Sequence, residues 1–223
     1  MAHGVSVIAI DGPVAAGKTA VGRKLAQSLG FAYLDTGIMY RAITWLALNH
    51  GITVDDETSL GELARSYPLG LMGEDCNQVL VDGHTLGPEL RDSTVDRNVS
   101  IISKAPMVRR ELVAQQRTTA AQGKIVMIGR DIGTVVLPDA DLKVYLTASP
   151  EKRAQRRWQE MQDRGEAVEL LTVLSETISR DEIDSGRDDS PLKPADDAWE
   201  LNTDGLDIQQ VVQKIVDRTI SAK

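Results

Sequence analysis

Cysteine and positive charge are both scarce in this sequence. Among 223 residues Cys76 is the only cysteine, which excludes an internal disulfide framework and a cysteine-based zinc cluster and fits a reducing compartment. There are 25 lysines and arginines against 33 aspartates and glutamates, a formal net charge of −8. This balance argues against general binding to nucleic acid or to anionic membranes. Any anionic ligand must therefore be bound by a local basic site.

Long apolar runs are missing as well. No segment approaches the ~20 apolar residues that are needed to span a bilayer. The first residues, MAHGVSVIAID, lack the charged and long apolar parts of a signal peptide. We therefore expect a cytoplasmic protein without nucleic-acid or membrane partners, of a length that suits one domain.

Short apolar runs that alternate with helical patterns indicate the fold class. VSVIAI (5–10), KIVMIG (124–129) and LKVYLTA (142–148), with a weaker fourth run in AWELNT (198–203), are typical of strands buried on both faces. Separated by helices, they predict an α/β fold with a central parallel sheet and right-handed crossovers. Helices are predicted at 18–29, 37–49, 106–121, 149–164, 168–182 and 207–220.

Two segments depart from this alternation. Between 66 and 92 the chain consists of short strand-like pieces separated by glycine and proline, which predicts a small antiparallel insertion. Residues 184–196, DSGRDDSPLKPAD, are polar and contain glycine and two prolines. They predict a loop that can move.

A phosphate-binding motif follows the first predicted strand and precedes the amphipathic helix AVGRKLAQSLG. GPVAAGKT fits G-x-x-x-x-G-K-[ST], in which backbone N–H groups and a helix N-terminus hold a polyphosphate. Lys18 is expected to reach the β- and γ-phosphates, and the Thr19 hydroxyl to hold Mg²⁺. The residues assigned to the nucleotide are Gly12, Pro13, Val14, Ala15, Ala16, Gly17, Lys18, Thr19 and Ala20.

Arginines accumulate towards the C-terminal half. Three of them are spaced i, i+3 and i+4 on the helix predicted at 149–164 and so share a face. Two interpretations are open: a solvated face paired with Glu151 and Glu160, or a lid that neutralises phosphate charge and excludes water during phosphoryl transfer. The arginines are Arg153, Arg156 and Arg157, followed by Arg180 and Arg187 on or beside the polar loop.

Polar residues also gather at two predicted strand ends, where ligands bind in open α/β sheets. LDTGIMYRA places Asp35, Thr36 and Arg41 at a strand end and on the first turns of a helix. IGRDIGTVV places Arg130 and Asp131 at the end of another strand. Charges beside glycines at strand ends favour a ligand site, although this Arg-Asp pair could instead be only a buried ion pair.

With these residues together, the chain resembles the bacterial cytidylate kinases, P-loop kinases that transfer phosphate from ATP to CMP and dCMP. The likeness covers nearly the whole chain, and GRDIGTVVLPDA and RDEIDSGRDDSPL are its most specific segments. It implies a three-layer P-loop kinase fold, Mg·ATP as donor and a monomer. It also implies one domain over 1–223, with a core at about 1–34, 104–147 and 196–223, a monophosphate-binding region at about 35–103 that carries the insertion, and a lid at about 148–190.

The resemblance also implies residue roles. Cytosine presents an amino donor beside acceptors, so the base is assigned to Asp131 and Arg109, aided by Ser100; uracil would leave a buried Asp131 unpaired. The α-phosphate of the acceptor is assigned to Arg41 and Arg130, near Asp35 and Thr36. The sugar is assigned to Arg180 and Asp184, the phosphates to Arg187, and the ATP phosphates to lid residues Arg153, Arg156 and Arg157. The catalytic set is Lys18, Arg130, Arg157 and Arg187.

Several positions depart from the family pattern. Val14 and Ala15 stand where smaller residues or glycine are frequent, and Thr19-Ala20 replaces the usual Gly-Thr or Gly-Ser pair. Ile183 replaces a lid arginine of some relatives. Because LNTDG (201–205) also departs from the pattern, no adenine contact is assigned there.

Two other functions stay open from the sequence. One is a P-loop kinase of a different small acceptor, for which the pair of Arg109 and Asp131 would have no evident purpose. The other is a nucleotide-dependent switch, against which the sequence lacks the N-K-x-D element that reads guanine.

Overall fold

The computed structural model describes residues 4–72 and 78–221. Cys76, and with it part of the predicted insertion, lies outside the described residues. Within the described ranges the strands are β1 (Val7–Asp11), β2 (Ala32–Asp35), β3 (Gly70–Met72), β4 (Gln78–Val81), β5 (His84–Leu86), β6 (Ile125–Ile128), β7 (Leu142–Thr147) and β8 (Trp199–Asn202). The helices are α1 (Lys18–Leu29), α2 (Thr36–Asn49), α3 (Glu57–Ser66), α4 (Ser93–Ile102), α5 (Pro106–Ala120), α6 (Pro150–Asp163), α7 (Leu170–Ser185) and α8 (Ile208–Ser221).

Five strands form a parallel sheet in the order β2-β6-β1-β7-β8. All four residues of β6 are buried, because the apolar run has helices on both of its faces. One core joins the sheet to α1 and α8 through residues such as Leu25 and Ile215. The other joins the sheet to α2, α3 and α5 through residues such as Leu46, Leu60 and Leu112. The predicted three-layer α/β fold is confirmed.

The insertion is a three-stranded antiparallel sheet in the order β3-β4-β5, as the sequence predicts. Asp82 and Gly83 connect β4 to β5 with φ of 48° and 73°. An Asp-Gly pair with two positive φ angles matches the twist of a two-residue hairpin. The short 3₁₀ turn Pro88–Arg91 then leads into α4.

The predicted helices lie close to the observed ones, whereas α3 and α4 were not predicted. Both have a cap that is visible in the sequence: Asp56 accepts a hydrogen bond from the Ser59 N–H, and Asp92 accepts one from the Thr94 N–H. Helix α7 extends beyond its predicted end at 182. Asp184 therefore lies on a helix, contrary to its predicted place in a mobile loop. Among the helices of the described residues, none combines the length and apolar composition needed to cross a membrane.

Candidate active site

The phosphate-binding motif forms the turn between β1 and α1. Gly12 has a φ of 147°, and a Cβ there would lie 2.2 Å from the Leu146 carbonyl oxygen, so only glycine fits. Gly17 caps α1 in the left-handed region with a φ of 94°. Ala15 also has a positive φ, 57°, and is therefore strained relative to a glycine at the same position. The loop presents the N-terminus of α1 towards the edge of the sheet where the strands end.

Lys18 is buried within this loop. Its Nζ donates hydrogen bonds to the carbonyl oxygens of Gly12 at 2.6 Å and Pro13 at 2.7 Å. Burial, together with the nearby charge of Arg130, holds the pKa of Lys18 well below its usual value. The side chain is therefore neither exposed nor paired with a carboxylate, and an anion arriving at the loop would stabilise its charge.

Thr19 and Asp35 bring two oxygen ligands together. The Thr19 hydroxyl donates to the Asp35 carboxylate at 3.2 Å, across the gap between α1 and the end of β2. Asp35 also caps α2 by accepting a hydrogen bond from the Gly37 N–H at 3.0 Å. Mg²⁺ in kinases is held by a few protein oxygens together with phosphates and waters, so this hydroxyl–carboxylate pair fits the ion. The structure thus places Asp35 next to the predicted metal ligand, whereas the sequence assigned it to the acceptor.

The proposed base-reading residues form a buried ion pair. A guanidinium nitrogen of Arg109, on α5, donates to the Asp131 carboxylate at 2.5 Å, and only 3% of Arg109 and 5% of Asp131 are exposed. The guanidinium also donates to the Tyr40 hydroxyl at 3.3 Å and lies 3.7 Å from Asp189. The pairing of Arg109 with Asp131 agrees with their predicted shared role, whereas Tyr40, which follows Met39 in LDTGIMYRA, was not predicted to take part.

Arg130 is paired with Asp184, and not with its neighbour Asp131. The Asp184 carboxylate accepts from Arg130 Nε at 3.0 Å and also from Arg187. Burial alone raises the pKa of Asp184, but the two arginines outweigh it and leave the pKa below its usual value. Arg187 also donates to the Ser103 hydroxyl at 3.1 Å. Asp184 therefore holds two arginines side by side at the edge of the sheet.

The side chains of Thr36 and Arg41 already have protein partners, and Ser100 has one at its backbone carbonyl. The Ser100 carbonyl accepts from the Ser103 hydroxyl at 3.2 Å, and it is Ser103 that contacts Arg187. The Thr36 hydroxyl donates to the Ile128 carbonyl at 2.9 Å, which ties the start of α2 to the end of β6. Arg41 donates to the Leu90 carbonyl at 2.8 Å and forms an ion pair with Asp96 at 2.6 Å.

Two of the three lid arginines are fully engaged by protein groups. Arg153 is 3% exposed, forms a two-point ion pair with Asp181 on α7, and donates to the carbonyl of Val14 in the phosphate loop at 3.2 Å. Arg156 donates to the hydroxyl and the carbonyl of Thr203 at 3.1 and 3.0 Å. The alternative of a solvated face paired with Glu151 and Glu160 is therefore wrong for these two arginines.

Arg157 and Arg180 differ from that pair. Among the described residues, no hydrogen bond or ion pair is formed by either side chain, and the Nε of Arg180 is buried without a partner. Burial and the charges of Arg130, Arg41 and Arg157 lower the pKa of Arg180 to about 10, against the smaller opposing effect of Asp184. Cations that repel one another and keep unpaired donors are arranged for an anionic ligand.

Asp11 is a buried residue of the site that sequence analysis missed. It ends β1 directly before Gly12, and its carboxylate oxygens accept from the N–H groups of Ile132 at 2.8 Å and Gly133 at 2.7 Å. The signal in the sequence was a charged residue between an apolar strand and the phosphate loop. Its partners, more than 120 positions later, were not visible there.

Comparisons with known proteins show the family of this chain. A family model described as cytidylate kinase matches residues 8–221. The cytidylate kinase of Desulfitobacterium hafniense (strain Y51) is 47% identical over 209 residues, covering 94% of this chain and 90% of the relative. That of Streptococcus sanguinis (strain SK36) is 46% identical over 220 residues, covering 95% and 98%. A solved structure from Eubacterium ventriosum ATCC 27560, titled an uncharacterized protein, has a TM-score of 0.50 at 14% identity over 96% of this chain and 98% of that chain, a likeness of fold alone. The chain belongs to the cytidylate kinase family.

Proposed function

We propose that the edge of the sheet where the strands end performs the family's reaction, the transfer of the γ-phosphoryl group of ATP to CMP or dCMP. The donor phosphates occupy the loop from Gly12 to Thr19, where backbone N–H groups and the N-terminus of α1 face them. Lys18 exchanges its bonds to the loop carbonyls for the β- and γ-phosphates. The buried, neutral partners that it has now make this exchange favourable, because a charged partner stabilises the ammonium more than carbonyls do.

The acceptor lies between the base-reading pair and the arginines that Asp184 holds. The Asp131 carboxylate accepts a hydrogen bond from the N4 amino group of cytosine, while the Arg109 guanidinium donates one to N3 or O2. Arg130 and Arg41 bind the α-phosphate, with Thr36 at the start of α2 beside them. Arg187 faces both substrates, Arg180 and Asp184 meet the sugar, and Ser100 supports the base.

The reaction needs no general base, because the attacking oxygen belongs to a phosphate that is already ionised at neutral pH. The protein's task is to align two anions and offset their repulsion. Arg157 carries donors without protein partners in the described residues, so it serves the transferred group when the lid closes. A closed lid also excludes water as a competing acceptor.

Thr19 and Asp35 would hold Mg²⁺ on the donor side. When bound, the ion neutralises part of the charge on the β- and γ-phosphates. The residues of this chain act around it: Thr19 offers its hydroxyl oxygen, and Asp35 keeps the start of α2 in place through Gly37.

The remaining proposals concern organisation. The lid at 148–190 contains α6 and α7, the monophosphate-binding region at 35–103 contains α2 to α4 with the small sheet, and the core at 1–34, 104–147 and 196–223 holds the parallel sheet, apart from the end of β2. We further propose a monomer in the cytoplasm, to which the single cysteine is suited. Size-exclusion chromatography with light scattering tests the monomer, and a dimer mass would contradict it.

The buried Arg109–Asp131 pair is the observation that carries the choice of substrate. Its test is an ADP-release assay with Mg·ATP and CMP, dCMP, UMP, AMP, GMP or shikimate, with a control that lacks any acceptor. Strong turnover on CMP and dCMP with weak turnover on UMP is expected. Slow ADP release that ignores every acceptor would contradict the proposal.

A further inference from the structure

Asp11 joins the two halves of the site through one side chain. Its backbone leads directly into Gly12, the first residue of the phosphate loop. Its two carboxylate oxygens accept from Ile132 and Gly133, the residues that follow Arg130 and Asp131. The Asp131 carbonyl in turn accepts from the N–H of Val135 at 2.9 Å, so the base reader stands at the start of a turn that Asp11 fixes.

A carboxylate makes this connection with both of its oxygens. The two successive backbone N–H groups point at one buried position, and each donates to a separate oxygen of Asp11 with no donor between them. An asparagine offers one acceptor and one N–H₂ group, which would oppose one of the backbone donors. A serine offers a single oxygen. The chain keeps a carboxylate here although burial disfavours its charge.

We propose that Asp11 is a positioning residue that sets the place of Arg130 and Asp131 relative to the phosphate loop. It touches neither substrate in the proposed function, on which this inference rests. Instead, it links the donor-binding loop to the residues that bind the acceptor, and the distance between the two phosphates depends on that link. Misplacement by about 1 Å lowers the rate of an aligned transfer by as much as roughly 10²-fold.

The protonation of Asp11 supplies an independent signature. Burial raises its pKa from 3.8 to about 6, with a smaller contribution from Asp131, against the opposing effects of the two N–H groups and of Lys18. Tyr145 on β7 faces it as well. As the pH falls through 6, the carboxyl gains a proton and loses one acceptor position towards the turn.

Stability and turnover then respond to pH in opposite directions. Because the pKa is raised in the folded state, the folded protein takes up the proton before the unfolded chain does. The contribution of Asp11 to the free energy of unfolding therefore increases as the pH falls from about 6 towards 4. Turnover of the acceptor decreases over the same interval, since the turn is held by one bond fewer.

The test compares Asp11→Asn with wild type and with a matched control, Asp141→Asn. Asp141 also accepts from two successive N–H groups, those of Ser6 and Val7 at 2.8 Å each, but on a single carboxylate oxygen and at the opposite end of β1. Steady-state kinetics with CMP varied and then with ATP varied separate the two substrates. Wild-type turnover on CMP tests the proposed function by itself, because its absence would overturn that function whatever the variants do.

Asp11→Asn is expected to lower kcat/KM for CMP by roughly 10- to 100-fold, with the KM for ATP changed less than about twofold. The melting temperature is expected to stay within about 4 °C of wild type. Asp141→Asn is expected to keep the wild-type kinetics. The positioning role would be overturned by unchanged kinetics of Asp11→Asn or by an equal loss of activity in Asp141→Asn. It would also be overturned if the KM for ATP rose as much as the KM for CMP.

Gly133→Ala tests the same contact from the other side if Asp11→Asn does not fold. An added Cβ at Gly133 would lie 3.4 Å from the Asp11 carboxylate and 3.2 Å from the Lys143 side chain, which displaces the turn slightly. It is expected to lower kcat/KM for CMP with the KM for ATP unchanged, and wild-type kinetics would overturn the proposal.

The phosphate of CMP also titrates near pH 6, so the pH profile is read as the ratio of wild type to variant. A constant ratio between pH 5 and 8 would count against the role of the Asp11 carboxylate.

Discussion

The arginines of the lid fall into two groups although the sequence presents them alike. Arg153 and Arg156 are bound by Asp181, Val14 and Thr203. Arg157, one residue further along α6, and Arg180 on α7 keep their donors unpaired among the described residues. The same residue type on one helix therefore serves two purposes. Arg153 connects α6 to the phosphate loop and Arg156 connects it to Thr203, whereas we expect Arg157 and Arg180 to be available for an anion.

Family membership also decides between the functions that the sequence left open. A match over residues 8–221 and relatives with 46–47% identity over most of the chain place it among the cytidylate kinases. A kinase of an unrelated acceptor and a nucleotide-dependent switch are thereby set aside. The difference between the arginines that have protein partners and those that have none among the described residues is then the feature that experiments can test most directly.

Variants of Lys18 test whether its ammonium group, which is hydrogen-bonded to loop carbonyls in the structure, binds phosphates during the reaction. Lys18→Met is expected to lower kcat by roughly 10³-fold, because it removes a charge that faces the transferred group. Thermal unfolding is expected to stay at or above the wild-type temperature, since burial disfavours the ammonium. An active variant, within about tenfold of wild type in kcat, would contradict the assignment of the phosphate loop.

Arg153 tests the group that is held by protein. Arg153→Ala is expected to lower the free energy of unfolding by about 3 kcal/mol, because it leaves Asp181 and the Val14 carbonyl without their partner. Chemical denaturation of Arg153→Ala, Asp181→Ala and the double variant measures the coupling. A coupling energy below about 0.5 kcal/mol would mean that the pair does not hold the lid in solution.

Arg109 and Asp131 form a buried ion pair, as Arg153 and Asp181 do, but we propose that this pair binds the base of the acceptor. Asp131→Asn is expected to lower the ratio of kcat/KM for CMP over UMP by roughly 10²-fold, because an amide N–H₂ can face the uracil O4. The ratio is the informative quantity, since a general loss of stability lowers both activities equally. An equal decline on the two nucleotides would remove Asp131 as the base reader.

A variant of Arg157 tests the arginines that have no protein partner among the described residues. Arg157→Ala is expected to lower kcat by about 30-fold, or ~2 kcal/mol, because its guanidinium stabilises charge only during transfer. The free energy of unfolding is expected to change by less than about 0.5 kcal/mol, since the side chain forms no hydrogen bond or ion pair with the part of the chain that the structure describes. The reverse pattern, a destabilised protein with normal kcat, would place Arg157 with Arg153.

Much of the fold could be predicted because its signals are local. The phosphate loop, the buried strands and helix α1 follow from patterns within about a dozen residues. Helices α3 and α4, of ten residues each, were not predicted, although Asp56 and Asp92 are ordinary caps. The end of α7 was missed as well, and Asp184 was assigned to a loop.

The structure pairs the residues of the candidate site differently from what their order in the sequence suggested. Adjacency suggested that Arg130 pairs with Asp131, whereas the first pairs with Asp184 and the second with Arg109. Successive residues after a strand point to different sides, so their partners come from different helices. Asp11 was overlooked because its role depends on those same distant residues.

The sequence by itself predicted a phosphate-binding loop of GxxxxGK[ST] type between a strand and a helix, and its resemblance to the cytidylate kinases implied which residues bind cytosine. Only the tertiary structure decided which arginines are bound by protein groups and which are available to a ligand. Burial and long-range partners set that division, because the charge of an arginine is the same everywhere while its desolvation and its neighbours are properties of the folded chain.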